Sequence, residues 1–287
     1  MYGFEGSYDR SAADIDDYLK KIRETEQYFS QLKVYFKTTV DFIKEILPPC
    51  FDLPEEANAF VTFSTNRSTL LGYYTESRIG FACRFKGKEA WYVPTGFANE
   101  EYAYYTAREV RGYPMHHGVI ELQTVGRTAY AAVVRHGLGA IERCAGEILA
   151  EVEVKDLIPC SEGKKETSWC TGLYYSLHSK GKGFESVPAA LLNRLDETAV
   201  VCKTGKADLK FFDGQYDRLS QIPVVDVGEA IYREGISRES CEDIIMITEG
   251  QLEYGKYYFG TRLESMFDIP LSAFIYDEVK QLYDFID

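Results

Sequence analysis

The chain of 287 residues has room for one large domain or two small ones, and its 45% apolar and 27% charged residues exclude a disordered or collagen-like chain. Asp and Glu number 45 against 32 Lys and Arg, a net charge of -13 that repels nucleic acid and anionic membrane surfaces. The seven cysteines are scattered without a CxxC pair, so neither a disulfide framework nor a zinc knuckle is indicated and reduced, mostly buried thiols are expected.

In chain order, Ser11 reads as an N-cap, and Ile15, Tyr18, Leu19, Ile22, Phe29 and Leu32 recur at helical spacing, which predicts an amphipathic helix over about 11–32. The opening MYGFEGSYDRSAADIDD is acidic, without the basic start and apolar stretch of a signal peptide, so a cytoplasmic protein is expected. Lys33 to Lys37 reads as a strand, and Thr39 to Leu47 as a short helix stopped by Pro48-Pro49. Strands are predicted at Asn58–Ser64, Leu70–Thr75, Ile79–Phe85 and Ala90–Val93, with Lys86-Gly87-Lys88 as a tight turn. Glu100–Val110 carries Ala103, Tyr104, Ala107 and Val110 at helical spacing and is ended by Gly112-Tyr113-Pro114.

Val119–Gln123 and Thr128–Arg135 read as a hairpin across Gly126, and Ala140–Ala150 as a helix. Further strands are predicted at Leu173–His178, Ala189–Leu195, Ala199–Lys203 and Leu209–Phe212, and loops at Ser161–Ser168 and Ser179–Phe184. Leu271–Phe285 reads as a closing helix, and the 22 Tyr and 17 Phe fit a β-rich protein. The order of elements predicts a single α+β domain over 1–287, built around a β-barrel or sandwich.

The most informative stretch runs from Leu71-Gly72-Tyr73-Tyr74-Thr75-Glu76-Ser77 to Arg108-Glu109-Val110-Arg111-Gly112-Tyr113-Pro114-Met115-His116-His117-Gly118. It resembles the acetoacetate decarboxylase superfamily, whose members carry a GxYTES strand end, a GREL helix end and a YPK-K-x-G turn at the same separations. Similarity continues more weakly from Phe36 to Phe63 and from Leu209 to Pro223, so that it covers about 34–225. The resemblance implies a closed β-barrel or cone with flanking helices, an internal polar pocket and a symmetric homo-oligomer.

In that family a lysine directly after Tyr-Pro forms a Schiff base with a β-keto acid; acetoacetate decarboxylase is a standard illustration of an amine whose pKa is lowered by desolvation and a neighbouring cation. Here Met115 holds that position and His116 that of the second lysine. A thioether cannot condense with a ketone and an imidazole forms no iminium, so the resemblance implies a member without amine catalysis from this turn. The acidic residue of the family's preceding strand appears as Val61, and no arginine lies between Glu24 and Val34. With two lysine positions replaced, the excess of 13 negative charges is compatible with a site depleted of positive charge, though most of it lies on the solvated surface.

Of the retained groups, Glu76 in a small pocket would be raised by desolvation and suits general acid or base work; otherwise it is a strand-end carboxylate in water, or paired with Arg78 or Arg108. His116 and His117 are consecutive and face opposite ways on an extended segment, so one of them can enter the pocket, and His116 is the candidate to polarise a ketone or stabilise an enolate. Tyr113 is the candidate donor to an oxyanion, Arg108 a bidentate carboxylate binder, and Glu109, Met115 and His117 complete the expected pocket. The bland alternatives are a turn-capping histidine pair, a core tyrosine, and an Arg108-Glu109 helix end or oligomer contact. No HxxxH, HExxH, phosphate-loop, GxSxG or GxGxxG context occurs, so no metal or cofactor is indicated.

Three functions stay open on these residues. One is a lyase acting on a small keto or enoic acid, by decarboxylation or related enolate chemistry such as aldol or dehydration. Another is a non-catalytic small-molecule-binding protein that retains the barrel and pocket, and the third is a structural or interaction protein that uses the aromatic surface for assembly.

Overall fold

A computed structural model describes residues 17, 20, 26–68, 71–135, 146–161, 164–174, 188–214 and 217–248. Eleven strands make one sheet: β1 (Gln27–Lys37), β2 (Asn58–Ser68), β3 (Gly72–Phe85), β4 (Lys88–Ala98), β5 (Met115–His117), β6 (Val119–Val125), β7 (Thr128–Arg135), β8 (Glu147–Pro159), β9 (Lys165–Tyr174), β10 (Ala189–Phe211) and β11 (Asp226–Met246). Two α-helices are described along their length, α1 (Val40–Ile46) and α2 (Glu101–Arg111), and Asp17 and Lys20 are helical as well. The strand order is β11-β1-β2-β3-β4-β9-β10-β8-β7-β6, β5 pairs with β4, and β11 pairs with β10 as well as with β1. No described helix is long and apolar enough to cross a membrane.

Local chemistry explains the turns and helix ends. Lys86 and Gly87 both take positive φ, 51° and 78°, in a two-residue connection that sets Phe85 opposite Lys88, as a right-twisted hairpin requires. Thr39 caps α1, its hydroxyl accepting from the Phe42 N–H at 3.2 Å. Gly112 ends α2 at φ 73°, its N–H donating to the Ala107 carbonyl; a Cβ here would lie 3.2 Å from Leu173 and Leu191 atoms, so the close approach also favours glycine.

Several sequence expectations are corrected. Gln27–Leu32 belongs to β1, not to an N-terminal helix, because it pairs on one side with β2 and on the other with β11; tertiary pairing overrides a helical pattern here. The expected helix over Ala140–Ala150 is strand from Glu147 onward, and its first part lies outside the described residues. The three short strands between Ala189 and Phe212 are one strand, β10, and the two between Leu70 and Phe85 are one strand, β3. The strand β11 has no counterpart among the expected elements. The predicted helix at 271–285 and the loop at 179–184 lie outside the described residues.

The core gives the fold its asymmetry. On β1, β2 and β3 the alternation sends Leu32, Val34 and Phe36, then Ala59, Val61 and Phe63, then Ile79, Phe81, Cys83 and Phe85 to one face, all buried in a single apolar cluster with Val133, Val152, Val154 and Leu149 of β7 and β8. Each such side chain contributes on the order of 1.5–3 kcal/mol of transfer free energy. The opposite face of the same strands is also buried, but it is polar, and it makes the site.

Candidate functional site

The residues that alternate with the core positions line one cavity. From β1 come Gln27, Phe29, Gln31 and Lys33; from β2, Thr62, Ser64, Asn66 and Ser68; from β3, Tyr74, Glu76 and Arg78. Register stacks them: Lys33 stands opposite Thr62, Gln31 opposite Ser64, and Ser64 opposite Glu76. β9, β10 and β11 add Ser168 and Cys170, Glu197, and Ser237 and Glu239, while Ala103, Ala107 and Arg111, four residues apart on one face of α2, cover the remaining side. The cavity measures about 110 Å³, a space for a small molecule.

Two groups of charges furnish it. In the first, Arg78 Nε lies 2.8 Å from Glu76 Oε1, while its Nη1 and Nη2 donate to the two oxygens of Glu239 at 3.2 and 3.3 Å. The Tyr113 hydroxyl donates to Glu239 Oε1 at 2.8 Å, and the Arg78 guanidinium lies 4.7 Å from the centre of the Tyr113 ring. Arg111 adds a 2.7 Å bond from Nη2 to the Glu239 carbonyl. One cation is therefore shared by two carboxylates, Glu76 buried and Glu239 half-buried.

The two acids are pushed apart. Burial raises the Glu76 carboxyl, the Glu239 charge adds to that, and Arg78 only partly offsets them. Burial would raise Glu239 too, but Arg78, Arg111 and the Tyr113 hydroxyl overcome it and hold Glu239 below the ordinary carboxylate range. Glu76 thus holds a proton more readily than Glu239, whose ionised form is the better supported.

In the second group Lys33 Nζ lies 2.9 Å from Glu166 Oε1, Arg233 reaches Glu166 at 2.6 Å and Glu197 at 2.7 Å, and Gln31 accepts from Arg233 at 2.8 Å. Arg233 is 1% exposed. Burial works against the Lys33 ammonium, but Tyr35, Glu166 and Glu197 outweigh it and raise the group above the ordinary lysine value. Lys33 is an ammonium here, not a free amine. A chain of hydrogen bonds links the neutral polar groups of the wall: Tyr74 donates to Gln27, Gln27 to Asn66, Asn66 to Ser64, and Ser64 to the Glu76 carbonyl.

Of the residues singled out in the sequence, Glu76 lines the cavity, within β3 and not at its end, and its partner is Arg78. Tyr113 supports it from behind, through Glu239 and Arg78. His116 is buried with its ring 5.8 Å from that of Phe97, and His117 is exposed; neither is among the lining residues. Met115, 1% exposed, packs against Gly96, a site where a Cβ would meet its sulfur. Arg108 is half-buried and Glu109 exposed on α2, away from the lining.

The expectation of a site poor in positive charge is corrected, since Lys33, Arg78 and Arg111 all line it. Sequence reasoning also missed Glu239, Glu197 and Glu166. The available signal was Gln31 and Lys33 alternating with Leu32 and Val34, and Thr62 and Ser64 alternating with Val61 and Phe63; on a strand with one wet face that pattern reads as solvent-exposed. Among the described residues no three His, Cys, Asp or Glu side chains are grouped to hold a metal ion.

Comparisons bear on the same region. A solved acetoacetate decarboxylase superposes with a TM-score of 0.63 at 17% identity, over 79% of this chain and 91% of that one. The acetoacetate decarboxylase of Legionella pneumophila gives 0.62 at 17% identity, over 76% and 87%. The enduracididine biosynthesis enzyme MppR, complexed with the condensation product of pyruvate and imidazole 4-carboxaldehyde, gives 0.60 at 17% identity, over 77% and 88%. At such identities the likeness is one of fold. No curated protein matches the chain. A sequence model of the family described as acetoacetate decarboxylase (ADC) matches residues 23–239, which include both charge groups, and the chain belongs to that family.

Proposed function

We propose that the protein is an enzyme that protonates or deprotonates the carbon beside the carbonyl of a small keto or enoic acid, with Glu76 carrying the proton and no iminium formed at the Tyr113-Pro114-Met115 turn. The observation that carries this reading is the Glu76–Arg78–Glu239 group: two carboxylates on one guanidinium, with opposite proton preferences, is the pattern of an acid–base pair with divided roles. We take the cavity to be enclosed by a cone of β1–β4 and β9–β11, as the pairing of β11 with both β1 and β10 supports.

In this reading a substrate carboxylate is held by the Lys33 ammonium, which has three N–H donors and gives one to Glu166. The carbonyl oxygen turns to Arg78, whose charge stabilises the enolate formed when the adjacent bond breaks. For a β-keto acid, carbon dioxide leaves, the electron pair of the broken C–C bond becomes the enolate, and the Glu76 carboxyl delivers its proton to carbon. Water then returns a proton to Glu76. Glu239, kept ionised, and Tyr113, bonded to it, fix the position of Arg78. MppR has been solved with pyruvate bound, a keto acid of suitable size for such a cavity.

The second reading, a binding protein without turnover, is favoured by one feature: the cations Arg78 and Lys33 are already matched by resident carboxylates. A screen of small oxo-acids and enoic acids by product detection, with Glu76→Gln as the control, separates the two. Enzymatic turnover lost at least about a hundredfold in Glu76→Gln, with ligand affinity kept, supports acid–base catalysis. Turnover that survives the substitution removes Glu76 from the mechanism, and tight binding with no product from any compound favours the binding protein.

A further inference from the structure

A pair of thiols stands outside the cavity. Cys160 follows the last residue of β8 and donates its N–H to the Cys202 carbonyl of β10 at 3.0 Å, continuing the antiparallel register that sets Pro159 opposite Lys203. The two Sγ atoms are 2.8 Å apart. That is less than an ångström beyond the S–S bond of about 2.05 Å. Cys202 is buried and Cys160 half-buried, so the partners differ in access.

We propose that Cys160 and Cys202 form an oxidisable pair that a hydroperoxide closes to an intramolecular disulfide. The Cys160 thiolate attacks the peroxide; an S–O bond forms, the O–O bond breaks, and water or an alcohol leaves. The Cys202 sulfur then attacks Cys160 Sγ; the S–S bond forms, the S–O bond breaks, and the hydroxide departs as water with the Cys202 proton. Two thiols and one hydroperoxide thus give one disulfide, one water and one further water or alcohol.

The order of events follows from the surroundings. Burial and the neighbouring thiol push Cys202 up to about 12, so it waits as a thiol while the more accessible Cys160 meets the oxidant. Cys202 stands opposite Arg233 across β10 and β11, so the new bond would tie the end of β8 to the strand pair that holds the Glu166–Arg233–Glu197 group.

The test treats the full-length protein with hydrogen peroxide, alkylates the remaining thiols with iodoacetamide, and maps non-reduced peptides by mass. The expected result is a Cys160–Cys202 linked peptide short of two hydrogens, lost again on treatment with dithiothreitol. In Cys202→Ser the reaction should stop at a Cys160 sulfenic acid that dimedone captures, and Cys160→Ser should give neither species. Alkylation of both Cys160 and Cys202 after the exposed Cys241 has been oxidised would overturn the proposal, as would a linkage that maps to other cysteines or joins two chains.

Discussion

Arg78 is the residue on which the cavity's electrostatics depend, and Arg78→Met tests that account most directly. The substitution keeps much of the side-chain volume and removes a charge that makes two contacts to Glu239 and lies 2.8 Å from Glu76. Glu239 keeps Tyr113 and Arg111, whereas Glu76 loses the cation placed against it. Removing one partner of a buried ion pair costs about 3–5 kcal/mol. A typical domain has a total stability of about 5–15 kcal/mol, so a large share should be lost near neutral pH.

The pH dependence has a definite sign. In the wild type, Glu239 is held below its ordinary value, so its contribution is present near neutrality and fades as the pH falls through that lowered value. In the variant both carboxyls lose Arg78 and rise, so protonation relieves the penalty and the variant gains stability as the pH falls towards the carboxylate range. The gap between the two proteins should therefore shrink on acidification. Urea unfolding followed by the fluorescence of Trp91 and Trp169, at about pH 7.5 and about pH 5, measures it. A loss below about 1 kcal/mol at the higher pH, or a gap that does not change, refutes the shared-cation reading. Adding Glu76→Gln to the variant should restore part of the loss, because the orphaned carboxylate is then neutral.

Met115→Lys is expected not to create Schiff-base chemistry, since residue 115 packs against Gly96 and does not line the cavity; a stable borohydride adduct with acetoacetate on the introduced amine would falsify the placement. The same trapping experiment on the wild type should leave Lys33 unmodified, because Glu166 and its surroundings keep it as an ammonium, and an adduct there would reverse the assignment of its role. Gly112→Ala should cost about 1–3 kcal/mol through an alanine forced to positive φ and crowded at the end of α2. Urea unfolding reads this too, and an unchanged midpoint would show that the α2 end relaxes freely.

The family was legible because its evidence is local. Glu76 in the Tyr-Thr-Glu-Ser run, Arg108-Glu109 and Tyr113-Pro114 sit at separations that need no knowledge of the fold, and the turns at Lys86-Gly87 and Gly126 follow from their glycines, which take positive φ freely. Helix ends were legible for the same reason: Thr39 caps and Gly112 terminates by contacts within a few residues.

What failed were inferences about His116 and the charged lining that required knowing what covers a surface. His116 stands beside Tyr113 and Met115 in sequence, yet β5 directs it to Phe97. Lys33, Arg78, Glu166, Glu197, Arg233 and Glu239 come from five strands, and Arg78 and Glu239 are 161 residues apart. The sequence by itself determined a β-rich chain of this family with a methionine in place of the turn lysine. Only the tertiary structure decided that both faces of β1, β2 and β3 are buried, one in hydrocarbon and one in a polar cavity. Alternation specifies two faces and their polarity, but which of them meets water depends on residues of strands such as β11, more than a hundred residues away, that line the polar side.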